Sequence, residues 1–171
     1  FQEAIASIAE LVQFFDDNQI NRLDTAVPVN EDLVALFDSI INQFNAIDEK
    51  IHILQVYLYG FLTTDSRNTV AQARHSQLMP HLSRLSLLGT RLTAWIGSLN
   101  VAQLLEKSAV AREHEYMVQK ARQEALHLMS PEQEDLAAEV AITGGSSWYR
   151  LISNYTDPIN VDIELEGEKQ T

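Results

Sequence analysis

The longest regular pattern of apolar residues in this chain lies in residues 30–64. Large apolar side chains recur there every three or four positions, which places them on one face of an α-helix and excludes a β-strand. The positions are Leu33, Phe37, Ile40, Phe44, Ile47, Ile51, Leu54, Leu58 and Phe61. Asn30 suits the cap of this helix, and Glu31 and Asp32 suit the positive end of its dipole. At 1.5 Å per residue the predicted helix is about 50 Å long, so it needs similarly long helical partners to bury its apolar face.

A second helix of the same kind is predicted after a polar turn at residues 63–68, with Ser66 as its candidate cap. Its apolar face has the same spacing and consists of Leu78, His81, Leu85, Leu88, Leu92, Trp95 and Leu99. The two helices are therefore expected to form an antiparallel hairpin. Pro80 predicts a kink in the first third of the second helix.

Shorter amphipathic segments flank this hairpin. Four further helices are predicted. The first ends near residue 17, and the second covers residues 101–129 with a break near 107–110. The third runs from 131 to 142, and the fourth covers residues 147–155. Ser130, Pro131 and Gln133 provide the cap, the first-turn proline and the capping-box side chain of the penultimate helix. Residues 143–146, which contain two glycines, predict a break before the last helix. An anion cradle at this glycine-rich turn is a weaker interpretation.

The last residues follow a different pattern. Apolar and polar residues alternate over residues 159–165, as in a β-strand, and Gly167 suits a hairpin turn after it. Because a lone strand is not stable, we expect its partner to lie further along a longer chain. Residues 1–158 are then an N-terminal helical lobe, and residues 159–171 begin a β-hairpin that continues into a C-terminal region. The predicted fold class is all-α, with about six helices in long antiparallel hairpins and one C-terminal β-strand of a truncated hairpin.

Composition limits the classes of function. The 171 residues contain 12 Lys and Arg against 24 Asp and Glu, a formal net charge of −12, which repels nucleic-acid phosphates and anionic lipid surfaces. The chain has no cysteine, which excludes disulfides, thiolate zinc sites and cysteine catalysis within these residues. No apolar run reaches the length of a membrane span. We therefore expect a cytoplasmic protein that binds neither nucleic acid nor membranes.

One His-Glu pair resembles the start of a zinc-peptidase signature. His114 and Glu115 would begin a His-Glu-x-x-His helix, but Val118 occupies the position of the second histidine, so the required pair of ligands on one helix face is absent. A partly buried helix residue is the favoured interpretation of His114.

Two Glu-x-x-His pairs raise the alternative of a di-iron helix bundle. They are Glu49 with His52 and Glu124 with His127. Such bundles also need carboxylates from the other two helices, and residues 67–99 contain no Asp or Glu. Solvated helix faces with incidental histidines are therefore the favoured interpretation.

Arg74 and His81 interrupt the apolar face of the helix predicted after the turn at residues 63–68. They stand at positions where leucine would be expected. They are candidates for binding a ligand or partner in a cleft. The alternative is that their apolar parts pack on the core while their polar ends reach water.

Five segments form an ordered series along the chain. They are YGFLTTD at residues 59–65, LTAWI at 92–96, AREHEY at 111–116, LHLMSPEQE at 126–134 and TGGSSW at 143–148. In this order they resemble the N-terminal lobe of the M3-family oligoendopeptidase F. The resemblance implies a mostly helical, zinc-dependent peptidase that cleaves short peptides inside an enclosed channel.

The family's zinc ligands and general base lie on a His-Glu-x-x-His helix in the C-terminal half, and this sequence contains no such motif. We therefore expect no catalytic, cofactor-binding or metal-binding residue here, zinc only in a full-length parent, and an inactive fragment. The implied partners are the chain's own C-terminal catalytic domain and short peptide substrates, with Arg74 and His81 as candidate substrate-channel residues. The alternative function is a non-enzymatic helical scaffold that docks a partner helix.

Overall fold

A computed structural model describes residues 1–25, 27–157, 159, 163–165 and 168–170. Its helices are α1 (Gln2–Asp17), α2 (Glu31–Thr64), α3 (Thr69–Ser98), α4 (Val101–Lys107), α5 (Ala109–Glu113), α6 (Glu115–Glu124), α7 (Pro131–Ala141) and α8 (Ser147–Thr156), and a π-helical segment (Ile142–Ser146) joins α7 to α8. The predicted all-α class is confirmed.

The long predicted helix is α2, and it begins as the sequence indicated. The side-chain oxygen of Asn30 accepts a hydrogen bond of 2.9 Å from the backbone N–H of Leu33, which satisfies one of the free N–H groups of the first turn. The buried residues of α2 are Phe37, Ile40, Ile41, Ile47, Ile51 and Leu58. The predicted apolar face is therefore the core face for most of the helix, whereas Phe61 at its end is exposed.

Helix α3 lies at the centre of the bundle, where it contacts α1, α2 and α6. Six of its seven predicted face residues are buried, and His81 is half-buried. The predicted cap at Ser66 is wrong, because Asn68 accepts the capping hydrogen bond from the backbone N–H of Ala71 at 3.0 Å. The helix continues through Pro80 without interruption.

The end of α1 is fixed by its backbone and by an arginine from α3. Gln19 adopts a left-handed φ of 53°, and the N–H of Ile20 donates to the carbonyl of Phe15 at 2.9 Å, as in a Schellman motif. Arg91 donates to Asp16 at 2.8 Å and to the carbonyl of Ile20 at 3.1 Å. One side chain thus connects the end of the first helix to the central one.

The predicted break near residues 107–110 occurs at Ser108, a fully buried polar residue. Its hydroxyl donates to Asp38 of α2 at 2.5 Å and accepts a bond of 2.8 Å from the N–H of Ala111. The hydroxyl therefore caps α5 and connects the break to α2. The structure adds a second break at His114 that was not predicted, and α6 ends at Glu124 instead of near residue 129.

Helix α7 begins with the predicted cap, since the N–H of Ser130 donates to Gln133 Oε1 at 3.2 Å. The predicted break at residues 143–146 is wrong. A π-helical segment continues α7 into α8, and both Ile142 and Ser146 have right-handed helical dihedral angles. The glycines here therefore form a wider helical turn and do not end a helix.

The strand predicted over residues 159–165 is not supported as a structural element of the fold. Ile159 lies outside any strand, residues 160–162 lie outside the described residues, and the extended backbone is limited to Ile163–Leu165, which pairs antiparallel with Glu168–Gln170. The expected position of the pairing segment beyond residue 171 is also wrong for this short ladder. The described chain is accordingly a helical bundle.

Candidate functional site

A groove of about 490 Å³ lies between α3 and the region where α6 ends. It is lined by Ser86, Gly89, Thr90, Thr93, Glu124, His127 and Leu128. The three hydroxyl residues stand at positions i, i+4 and i+7 of α3, so they share one helix face. The opposite side of the groove carries the carboxylate of Glu124, the last residue of α6, and the imidazole of His127, three residues later.

The depth of this groove depends on a close contact between two small residues. A Cβ atom placed on Gly97 of α3 would lie 2.1 Å from the Cβ of Ala125 at the end of α6, which is far inside van der Waals contact. Only glycine at position 97 therefore allows α6 to end this close to α3. The contact positions His127 and Leu128, which follow Ala125 directly, against the hydroxyl face of α3.

The polar groups of the groove are partly engaged within the chain. Thr90 Oγ1 donates to the carbonyl of Ser86 at 3.4 Å, a weak bond that leaves the hydroxyl available as an acceptor. Glu124 forms a salt bridge of 3.4 Å with Lys120, and both side chains are about half exposed. Such an exposed pair contributes little stability, so the Glu124 carboxylate remains an accessible acceptor.

This arrangement suits a polar, extended ligand. Hydroxyl groups both donate and accept hydrogen bonds, a carboxylate accepts them, and neutral imidazole does either according to its tautomer. A peptide main chain presents one donor and one acceptor at most residues, so the groove offers complementary partners to it. Leu128 and Gly89, which are both half-buried, complete the lining.

The predicted substrate-channel residues do not line this groove. Arg74 is exposed on α3, with its guanidinium carbon 5.3 Å from the centre of the Phe1 ring and its Nη1 donating to Gln77 at 3.1 Å. His81 is half-buried on the same helix. The structure brings neither residue together with the groove, and their contact with substrate stays a prediction.

The three histidine motifs of the sequence lie on different parts of the structure. His114 is half-buried, as predicted, but it lies at the break between α5 and α6 and not within a helix. Its Nε2 lies 3.4 Å from the side-chain nitrogen of Asn45. Glu49 and His52 are exposed on α2. The Glu124 pair lines the groove instead of facing a bundle core. Among the residues that the structure describes, no group of three or more His, Cys, Asp or Glu side chains could hold a metal.

Sequence reasoning missed the hydroxyl face of α3. Its signal is Ser86, Thr90 and Thr93 at helical spacing beside the leucine face, in a helix without carboxylates. Their helical spacing predicts a shared face, but it does not say which helix lies opposite. That second half of the groove depends on the contact of Gly97 with Ala125, which joins residues far apart in the sequence.

The described residues form an all-helical bundle with an open surface groove, in which hydroxyl groups of α3 face Glu124 and His127. Residues 97–157 match the sequence model of the family Peptidase_M3_N, described as oligopeptidase F. The match supports an M3-peptidase N-terminal region, and it includes Gly97, Ala125 and the α6 side of the groove. No curated protein and no solved structure gives a significant match to this chain. None of the described helices is both long and apolar enough to cross a lipid bilayer.

Proposed function

We propose that this chain is the N-terminal helical part of a zinc-dependent oligoendopeptidase and forms a wall of the channel through which short peptides reach the catalytic centre. The observation that carries the proposal is the match of residues 97–157 to the oligopeptidase F family. The ordered series of similar segments between residues 59 and 148 supports the same assignment. In this proposal the protein acts in the cytoplasm.

The zinc ion of such an enzyme does not fit the residues present here. The described side chains contain no group of three or more metal-ligating residues, so no step at the metal is assigned to this chain. Its proposed contribution is to bind and orient the peptide before cleavage.

The groove between α3 and α6 is the proposed contact surface for the peptide. Thr93 supplies a half-buried hydroxyl, and Glu124 supplies an exposed carboxylate across the groove. Each hydrogen bond to the peptide contributes about 0.5–1.5 kcal/mol. Because these contacts are made equally in the bound substrate and in the transition state, they lower KM and leave kcat unchanged.

The test is peptide kinetics on the full-length protein with zinc bound. Thr93→Val keeps the shape of the side chain and removes its hydroxyl, and Glu124→Gln removes the charge. We expect KM to rise about 2- to 10-fold in each variant with kcat and zinc content unchanged, since each loses one uniform binding contact. Arg74→Ala and His81→Ala test the two earlier candidates in the same assay. Glu113→Gln, an exposed change on α5 outside the groove, is the matched control.

Specific results would contradict the proposal. Failure of the full-length protein to hydrolyse short peptides in the presence of zinc would remove the assignment to a peptidase. Hydrolysis with unchanged KM in both groove variants would keep the enzyme and remove the groove as its substrate surface. A loss of zinc in a folded Arg74 or His81 variant would place that residue at the metal centre.

A helical scaffold is the second candidate, and one observation favours it. The segment from α7 to α8 exposes a series of large apolar side chains, namely Leu136, Val140, Ile142, Trp148, Tyr149, Leu151, Ile152 and Tyr155. Exposed apolar surface of this kind is typical of an interaction surface. Absence of peptide hydrolysis together with a stable complex through these side chains would support the scaffold.

A further inference from the structure

The groove between α3 and α6 has an uneven distribution of charge. Among its seven described lining residues, Glu124 supplies the only carboxylate, and none is lysine or arginine. The Glu124 side chain is about half exposed, so a ligand in the groove can reach it. The α3 side contributes uncharged hydroxyl groups, so the groove has one negative wall.

The backbone around Glu124 fixes the position of its carboxylate. Ala125, the next residue, lies so close to Gly97 of α3 that a Cβ atom added to Gly97 would stand 2.1 Å away. The N–H of His127 donates to the carbonyl of Glu124 at 2.9 Å. The turn after α6 therefore holds the base of the Glu124 side chain at the edge of the groove.

The arginines of α3 that are near the groove along the chain do not offset this charge. Arg91 extends toward the end of α1, where it donates to Asp16 at 2.8 Å and lies over the Phe15 ring. Arg84 precedes Ser86 by two residues, so it lies about 160° around the helix axis from that lining residue. Both guanidinium groups therefore belong to other faces of α3.

Lys120, one turn earlier on α6, pairs with Glu124 at 3.4 Å. Both side chains are about half exposed, and exposed pairs of this kind contribute little stability. A carboxylate has two acceptor oxygens, so Glu124 can bind a second cation from the side of the groove while it keeps Lys120.

A second carboxylate lies beside the same wall. The half-buried Glu134 accepts a hydrogen bond of 3.1 Å from the backbone N–H of Met129, and Met129 directly follows the lining residue Leu128. Glu124 and Glu134 together outweigh the single positive charge of Lys120. This side of the groove is therefore net negative.

We propose that Glu124 makes the groove selective for peptides with an arginine or lysine side chain, which its carboxylate binds while the hydroxyl groups of α3 contact the peptide main chain. This inference rests on the proposed peptidase function and names the class of its substrates. Arginine is the better ligand of the two, because its guanidinium group can donate two parallel hydrogen bonds to one carboxylate. The net charge of −12 attracts cationic peptides to the chain as a whole.

The selectivity has a fixed register in the peptide. The catalytic centre of the proposed enzyme lies outside the described residues, at a constant distance from Glu124 in the folded protein. We therefore expect a basic side chain to improve binding at one position, a set number of residues from the scissile bond. Attraction by the net charge alone would act at every position of the peptide.

The test is hydrolysis kinetics of the full-length zinc-loaded protein with a series of short neutral peptides. Each peptide carries one arginine, which moves along the series, and each has a twin with citrulline, the uncharged analogue of arginine, at the same position. We expect the arginine peptide to have a KM about 2- to 5-fold lower than its twin at one position, as for an exposed ion pair, with the same kcat.

Three variants identify the group responsible. Glu124→Gln should abolish the difference between the twins. Glu124→Lys should reverse the preference, so that a glutamate peptide has a lower KM than its glutamine twin at that position. Glu115→Gln is the matched control, because it removes the same charge from an exposed position of α6, nine residues earlier and on the opposite face of the helix. It should leave the arginine preference unchanged.

Equal KM values for arginine and citrulline at every position would overturn the selectivity while leaving the peptidase assignment intact. A preference that survives Glu124→Gln, or that Glu115→Gln lowers equally, would also overturn it, because the net charge would then be its source. Loss of the preference in Glu124→Gln without reversal in Glu124→Lys would refute direct contact. Absence of hydrolysis of all peptides would remove the proposed function itself, and this inference with it.

Discussion

Replacing Gly97 by alanine is the sharpest test of how α3 and α6 meet. The added Cβ would lie 2.1 Å from the Cβ of Ala125, whereas carbon atoms in contact lie about 3.5–4.0 Å apart. The Cα of Ala125 and the carbonyl oxygen of Ala121 follow at 3.7 and 3.8 Å. The chain after α6 must therefore move by about 1.4 Å or more to accept one methyl group.

Two opposing effects determine how much unfolding free energy the Gly97→Ala variant loses. Forcing an extra methyl group into a packed contact costs about 1–3 kcal/mol. Alanine is about 1 kcal/mol better than glycine in a helix interior, but Gly97 is the next-to-last residue of α3, where this gain is smaller. We expect the Gly97→Ala variant to lose about 1–2 kcal/mol of unfolding free energy.

The measurement is urea unfolding followed by far-ultraviolet circular dichroism, with Gly89→Ala as the matched control. Gly89 lies in the same helix, and a Cβ added there would meet only Phe44 at 3.9 Å, an ordinary contact. The control should gain about 0.5–1 kcal/mol from helix propensity. Glycine-to-alanine substitutions at two positions of one helix are thus expected to change the unfolding free energy in opposite directions.

A double-mutant cycle isolates the contact. Ala125→Gly removes the opposing methyl group, so it should cost less in the Gly97→Ala background than in the native protein. We expect a favourable coupling of at least about 1 kcal/mol. A Gly97→Ala variant as stable as the native chain, with additive behaviour in the cycle, would show that α6 does not end against α3 and would remove the groove.

Three further changes test other parts of the fold. Gln19→Gly should raise the unfolding free energy by about 1 kcal/mol in a thermal melt, because Gln19 holds a left-handed φ of 53° that glycine adopts freely; no gain would mean that this turn is not formed. Ser108→Ala should cost about 1–3 kcal/mol in urea unfolding, since it removes the hydroxyl bonded to Asp38, and a neutral effect would contradict that buried bond. The hydrogen bond and charge of Lys50 lower the pKa of Glu3 below its usual 4.5. The pair therefore stabilises the fold above that value and loses its effect as pH falls through the folded pKa, so Glu3→Gln should abolish this part of the acid dependence in melts from pH 3 to 6.

The local pattern of the sequence was sufficient for most helices. The apolar spacing of α2 and the cap at Asn30 depend on neighbouring residues in the chain, and both were predicted correctly. The break at Ser108 was also anticipated. The wrong cap at Ser66 arose because Asn68 competes for the same role two residues later, and both residue types suit it.

The contacts that shape the candidate site could not be predicted from local patterns in the sequence. Gly97 and Ala125, whose contact positions the α6 side of the groove, are 28 positions apart in the sequence. Periodicity shows which face of a helix is buried but not which helix covers it. The helix break predicted at Gly144 and Gly145 is wrong for a related reason, because a π-helical turn and a helix end share the same local composition.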